Sequence, residues 1–389
     1  MNLKEKDSKY IAGTYARFPL EIVRGEGSVA YDEEGKKYID LSTGIAVNTF
    51  GYCDEVWQDA IKEQIGTVQH TSNLFYTNPC ADLAEILCER TGMKKVFFSN
   101  SGAEANECAI KTARKYAFDK YGDYSHSTII TLKNSFHGRT ITTLAATGQD
   151  VFHTTFAPFT EGFVYAEPNN IESVEELASK NNCCAIMFEL VQGEGGVCPL
   201  TQEFVDRMRS IAEKYELLII CDEVQTGNGR TGELYSFMNY GFTPDIFSTA
   251  KGLAGGLPLG ATVMGEKVES TLSPSSHGST FGGNPVCCAA AKSIINRIDE
   301  KLLGEVKEKS EYIINTLSAA EGVKSVTGLG FMLGVETEKE AKEVIAACRE
   351  KGVIVISAKN KVRLLPALNI DFDVLKEAIE IIKDCCKGE

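Results

Sequence analysis

Two ionisable side chains stand where an apolar run ends. Asp222 closes the run 217–221, and Lys251 follows the run 246–248 in Ser248-Thr-Ala-Lys251-Gly, with small neighbours that leave space around its ammonium. If both runs are strands of one open sheet, both side chains emerge at its carboxyl edge, where ligands of α/β folds bind. Glycines gather where a backbone must approach something closely: at Ser101-Gly102-Ala103 and within 193–196, 227–232, 252–260 and 278–283. The first of these lies between an expected strand and an expected helix, so free N–H groups and the positive end of the helix dipole face an anion. Ser101-x-x-Glu104 also reads as a plain capping box, which needs no ligand.

An amine, an acid and an anion site at one sheet edge suit pyridoxal phosphate. That cofactor requires a lysine for its Schiff base, an acidic partner for its pyridine nitrogen and a cradle for its phosphate. A solvated salt bridge between Asp222 and a basic side chain is the plainer alternative. A rival chemistry, an NAD-linked oxidoreductase, is suggested by Gly227-Asn-Gly-Arg-Thr-Gly232, a literal G-x-G-x-x-G. The context argues against it. A dinucleotide fingerprint sits directly between a strand and an amphipathic helix, whereas here residues 222–226 intervene and 233–241 make a poor helix.

The elements that must position these residues follow from periodicity. Short apolar runs at 96–98, 128–132, 185–188, 217–221 and 246–248 alternate with helical patterns, which indicates βα units and a mostly parallel sheet. After Ser101 the stripe Ala105, Ala109, Thr112, Ala113, Tyr116, Ala117 has the 3.6-residue period of a helix packed on a sheet, and after Thr201 so do Phe204, Val205, Met208, Ile211, Ala212 and Tyr215. Beyond about residue 296 long charged helices (302–320, 338–351, 372–386) alternate with strand-like runs at 331–335, 353–356 and 361–365, the pattern of a smaller α/β domain. The first 55 residues hold a hairpin, 28–31 and 37–41, around Glu34-Gly35. The expected division is an N-terminal segment 1–55 packing with the small domain, a large cofactor-binding domain 56–295 and a small domain 296–389.

Composition narrows the function. With 389 residues, 43% hydrophobic and 24% charged, the chain can bury a large core. Forty basic against fifty-four acidic residues leave a net charge of −14, which repels nucleic acid and anionic lipid. The polar opening MNLKEKDSKY and the lack of a long apolar run lead to the expectation of a cytoplasmic protein. The 13 cysteines include no C-x-x-C and the five histidines are dispersed, so reduced, mostly buried thiols and no structural metal are expected.

Across nearly its whole length the chain resembles the class III aminotransferases (subgroup II, fold type I), and most closely those acting on acetylornithine. The matching runs include Thr14-Tyr-Ala-Arg-Phe-Pro19, His70-Thr-Ser-Asn-Leu-Phe-Tyr-Thr77, Ser99-Asn-Ser-Gly-Ala-Glu-Ala-Asn-Glu107, Phe136-His-Gly-Arg-Thr140, Gln192-Gly-Glu-Gly-Gly196, Asp222-Glu-Val-Gln-Thr-Gly-Asn-Gly-Arg-Thr-Gly232, His277-Gly-Ser-Thr-Phe-Gly-Gly-Asn-Pro285 and Arg363-Leu-Leu-Pro-Ala-Leu368. The resemblance implies an α/β fold type I transferase, with a large domain built on a mostly parallel seven-stranded sheet plus a smaller α/β domain. It makes Lys251 the Schiff-base lysine and proton carrier, and Asp222 the partner of the pyridine nitrogen. Ser101, Gly102 and Ala103 would hold the phosphate, with Thr280 reaching it from the other subunit of a homodimer. Phe136 would stack on the ring, and Glu223, Val224 and Gln225 would complete the cofactor site, Gln225 at the ring hydroxyl. Arg139 would bind a substrate carboxylate with Ser279 and Tyr15 beside it, while Glu194 pairs with Arg363 and swings aside for glutamate.

The activity so implied moves the terminal amino group of N2-acetylornithine to 2-oxoglutarate, in ping-pong fashion, in arginine biosynthesis. A sibling enzyme taking succinylornithine, ornithine, 4-aminobutyrate or a blocked lysine is the alternative, and a catalytically silent pyridoxal-phosphate-binding protein is another. Two departures stand out. The chain reads Gly51-Tyr52-Cys53-Asp54-Glu55 where relatives often have Gly-His followed by His-Pro, and Ala103 where many carry Thr. The second removes a hydroxyl from the phosphate site but leaves the backbone N–H.

Overall fold

The helix Gly102–Tyr121 shows why these residues fold as they do. Ser101 caps it, accepting the Glu104 N–H at 3.2 Å, and Gly122 ends it in the left-handed conformation at φ +79°. Half of its eight buried residues are alanine (Ala105, Ala109, Ala113, Ala117), so it lies close against the sheet. The computed structural model describes residues 1–388.

That sheet has seven strands in the order Lys95–Ser99, Gly260–Met264, Ile246–Thr249, Leu218–Asp222, Cys183–Phe188, Thr128–Leu132, Phe163–Ala166. Only Gly260–Met264 runs antiparallel to its neighbours. The five runs read as strands are strands, within two residues. Phe163–Ala166 and Gly260–Met264 escaped that reading, the first because it is four residues on the sheet's edge, the second because Gly-Ala-Thr-Val-Met is mostly small. Central strands are buried on both faces, which is why they read as continuous apolar runs rather than alternating ones.

Towards the C-terminus a four-stranded antiparallel sheet, ordered Val323–Leu329, Met332–Thr337, Lys361–Leu364, Ile356–Ala358, carries the helices Glu300–Ser318, Ala341–Glu350 and Phe372–Cys386. The helices expected at 302–320 and 338–351 shift or shorten because Asp299 caps the first through Leu302 N–H, and the second starts only after Glu340. The N-terminal hairpin forms at Val29–Tyr31 and Lys37–Asp40, and Lys37–Asp40 pairs in parallel with Val353–Ile354. One sheet therefore joins the two ends of the chain. Most cysteines are buried and none is disulfide-bonded. Among residues 1–388 no helix is long and apolar enough to cross a membrane.

Candidate active site

Because six of the seven strands are parallel, their carboxyl ends collect the loops that carry chemistry. Ser99 leads into the Gly102 helix, Phe188 into Glu189, Thr249 into Lys251, and Asp222 is the last residue of its own strand. These loops enclose a cavity of about 460 Å3. Its lining brings together the helix start (Ser101, Gly102, Ala103), Phe136 with Arg139, the strand-end group Asp222, Val224 and Gln225, and Lys251.

Asp222 is 4% exposed and fully engaged. It accepts hydrogen bonds from His137 Nδ1 (2.7 Å), Asn106 Nδ2 (2.8 Å) and the Val224 N–H (3.0 Å). Asn106 also donates to the His137 carbonyl at 2.7 Å, so acid and imidazole are fixed as one unit. Behind them Glu189, buried, accepts the Phe136 N–H at 3.0 Å. Burial pushes the Glu189 carboxyl up to about 7; His137 pulls it down and the Asp222 charge adds to the rise. Lys251 sits in the left-handed region at φ +47°, a strained position that aims its side chain into the cavity. Burial lowers its pKa, as does Arg363, while Glu194, Asp222 and Glu189 raise it.

Arg363, with its side chain 3% exposed, donates through Nη1 to Glu194 Oε1 at 2.7 Å and to Gln225 Oε1 at 3.0 Å. The pairing of Glu194 with Arg363 expected from the sequence is present, and Gln225 links it to the cavity. A Cβ at 193 would come within 2.6 Å of Gln225 Oε1, so a side chain there would have to displace the Gln225 amide. Arg139 lies over the rings of Phe152 (4.2 Å) and Phe136 (5.5 Å), with its charge left to the cavity.

Six expected residues lie outside this lining, Glu194 and Arg363 among them, which reach it through Gln225. Glu223 is wholly buried and turned to the core, where it accepts from Thr226, Ser236 and the Phe237 N–H; it braces the following loop and does not face a ligand. Tyr15 is 72% exposed, on an N-terminal stretch in which no residue before Ala30 is buried. Ser279 and Thr280 line a separate hollow of about 300 Å3. Ser279 accepts a bond from Asn100, which does border the main cavity, at 3.2 Å. His137 and Asn106 were missed by the sequence reading. Asn106 was detectable as an amide among the small residues at the start of that helix, and His137 as the neighbour of Phe136. Among the described residues no cluster of His, Cys, Asp and Glu could hold a metal.

The model of the family Aminotransferase class-III matches residues 10–386. The chain is a class III aminotransferase. It is 47% identical over 382 residues to an acetylornithine aminotransferase from Haemophilus ducreyi, covering 98% of this chain and 97% of that one. It is 40% identical to a succinylornithine transaminase from Salmonella newport, with 99% and 96% covered. Its fold superposes with a TM-score of 0.93 on an ornithine aminotransferase from Toxoplasma gondii, 28% identical, covering 98% and 93%, whose active site holds pyridoxal phosphate at partial occupancy. Class III aminotransferases depend on pyridoxal phosphate, and the cavity suits it. The first-turn amides of Gly102 and Ala103 have no intrahelical acceptor and offer donors to an anion. A pinned carboxylate and an amine with lowered pKa stand at the same cavity.

Proposed function

We propose that this aminotransferase moves the terminal amino group of N2-acetyl-L-ornithine to 2-oxoglutarate, giving N-acetyl-L-glutamate 5-semialdehyde and L-glutamate. The observation that carries the reading is the Arg363–Glu194 pair at 2.7 Å, set against an Arg139 that faces the cavity. Acetylornithine brings one carboxylate and a neutral amide, whereas glutamate brings two carboxylates. Arg139 meets the carboxylate common to both. Arg363, neutralised by Glu194, is tolerable to the first substrate and, once Glu194 moves, available to the second. The 47% identity to the Haemophilus ducreyi acetylornithine enzyme supports the same donor.

Pyridoxal phosphate, when bound, supplies a ring that withdraws electrons from the substrate carbon. The Gly102 and Ala103 amides would hold its phosphate, and Phe136 and Val224 would confine the ring. Asp222, oriented by His137 and Asn106, keeps a proton on the pyridine nitrogen. Lys251, its pKa lowered by burial, moves a proton through Nζ to and from the reacting carbon. Leu74, Phe75, Tyr76 and Phe281, all largely exposed, support a homodimer in which Thr280 serves the neighbouring site. A cytoplasmic location belongs to the same proposal, and the sheet shared by residues 24–40 and 353–354 supports an N-terminal segment, to about residue 55, belonging with the small domain.

The test is a donor panel with 2-oxoglutarate. Acetylornithine should exceed ornithine, succinylornithine, 4-aminobutyrate and N-acetyllysine in kcat/KM by roughly tenfold or more. A higher value for any other donor reassigns the substrate while leaving the chemistry in place.

A further inference from the structure

The loop Gly227-Asn-Gly-Arg-Thr-Gly232 follows Asp222 and Gln225 but carries no cofactor role. It is nevertheless buried throughout. Asn228, at φ +57°, donates through Nδ2 to Thr249 Oγ1 (3.1 Å) and to the Ala250 carbonyl (3.2 Å), the two residues before Lys251. Two positions on, Arg230 is 3% exposed and donates through Nη1 to the carbonyls of Phe331 (3.4 Å) and Pro366. The Phe331 N–H returns a bond to the Arg230 carbonyl at 2.8 Å. Glycines admit this approach: a Cβ on Gly330 would lie 2.7 Å from the Arg230 oxygen, and one on Gly229 would lie 2.6 Å from Leu368 Cδ1.

The two gripped carbonyls lie together at one end of the strand pair that carries Arg363, where the register of Gly334 against Arg363 and Leu333 against Leu364, continued, sets Phe331 opposite Pro366. Pro366 follows Arg363 on the same stretch, and Phe331 opens the strand Met332–Thr337. Arg230 buries its charge against carbonyls alone, and nothing anionic offsets the burial that lowers its pKa to about 9. A methionine would fill that volume without the desolvation penalty, but it would give up directed bonds to both strands at the end of the pair that carries Arg363.

We propose that the 227–232 loop fixes the spacing between Lys251 and Arg363, and that Arg230 is the positioning residue that keeps Arg363 in reach of a substrate's second carboxylate. The inference rests on the role proposed above for Arg363. Asn228 holds the lysine's end of the bracket and Arg230 the arginine's end. Loss of the second lets the Arg363 strand move relative to Gln225 without touching the residues that line the cavity.

Equilibrium binding to the holoenzyme separates this role from a structural one. Glutarate and valerate share a five-carbon chain and one carboxylate, and glutarate adds the second. In Arg230→Met the Kd for glutarate should rise roughly tenfold or more, while that for valerate stays within about threefold. Arg230→Lys, which keeps the charge but not the forked geometry, should show a smaller loss of the same selectivity. The half-reactions read by the cofactor's absorbance should follow, with KM for glutamate raised and the acetylornithine half-reaction little changed. Equal weakening of both ligands, no weakening in folded variants, or failure of both variants to fold would each overturn the proposal. Arg363→Met is the control. If it leaves glutarate binding intact, the role of Arg363 fails; if it weakens binding while the Arg230 variants do not, this inference alone fails.

Discussion

Two neighbours hold Asp222 in place at the cavity. With His137 and Asn106 donating to one carboxylate oxygen, the charge cannot rotate away from the cavity. Asp222→Asn removes that charge, and turnover should fall on the order of 10²-fold or more in steady-state assays; near-normal turnover would remove the electrostatic role. Glu189 offers a pH signature. Its carboxyl, raised from 4.5 to about 7 by burial, keeps its proton in the native state after the unfolded chain has lost it. Below pH 4.5 both states are neutral at this group and it has no effect; between 4.5 and 7 the native state loses stability as pH rises, and above 7 the full loss remains. In Glu189→Gln that loss is absent. The melting temperature of the variant should therefore gain on wild type from pH 5 to 7.5, whereas a constant difference would mean an ordinary carboxylate. Asp222 and Lys251 were legible because each ends an apolar run. His137 was not, because what it does depends on a residue far along the chain, brought near only by the parallel sheet.

At the scale of elements, the sheet-packed helix and the central strands were readable because burial leaves a periodic trace. Loops that face a ligand leave a weaker one, since a glycine required by a close contact looks like a glycine required by a turn. Gly102 is such a case. A Cβ there would meet the Val224 methyls at 2.6 and 2.9 Å, at the point where the helix offers its amides to an anion. Gly102→Ala should therefore push the helix start or Val224 aside. An overpacking penalty of about 1–3 kcal/mol, borne by the cofactor site, corresponds to roughly five- to 150-fold in pyridoxal phosphate affinity. Titration of the apoprotein followed by absorbance measures it, with the melting temperature of the apoprotein as the check that the helix itself survives. Unchanged affinity would mean that Val224 yields freely and that the phosphate does not rest on this turn.

For the whole molecule, the central question is whether one chain holds a complete site. Thr280 and Phe281 are exposed beside the hollow that holds Ser279, and Leu74, Phe75 and Tyr76 form an exposed apolar stretch of the kind that marks interaction sites. The motifs around 70–77 and 277–285 signalled these residues in the sequence, but a single chain gives no pattern for contacts made between two. Subunit mixing tests the arrangement. Thr280→Ala retains Lys251 but lacks the hydroxyl, and Lys251→Ala retains Thr280 but lacks the amine. If each site takes Lys251 from one subunit and Thr280 from the other, a mixed dimer contains one fully native site. Coexpressed, differently tagged chains mixed at random should then recover about one quarter of wild-type turnover, above the sum of the separate variants. No recovery, with Thr280→Ala itself impaired, would place Thr280 in its own subunit's site, and a fully active Thr280→Ala would remove it from the site altogether.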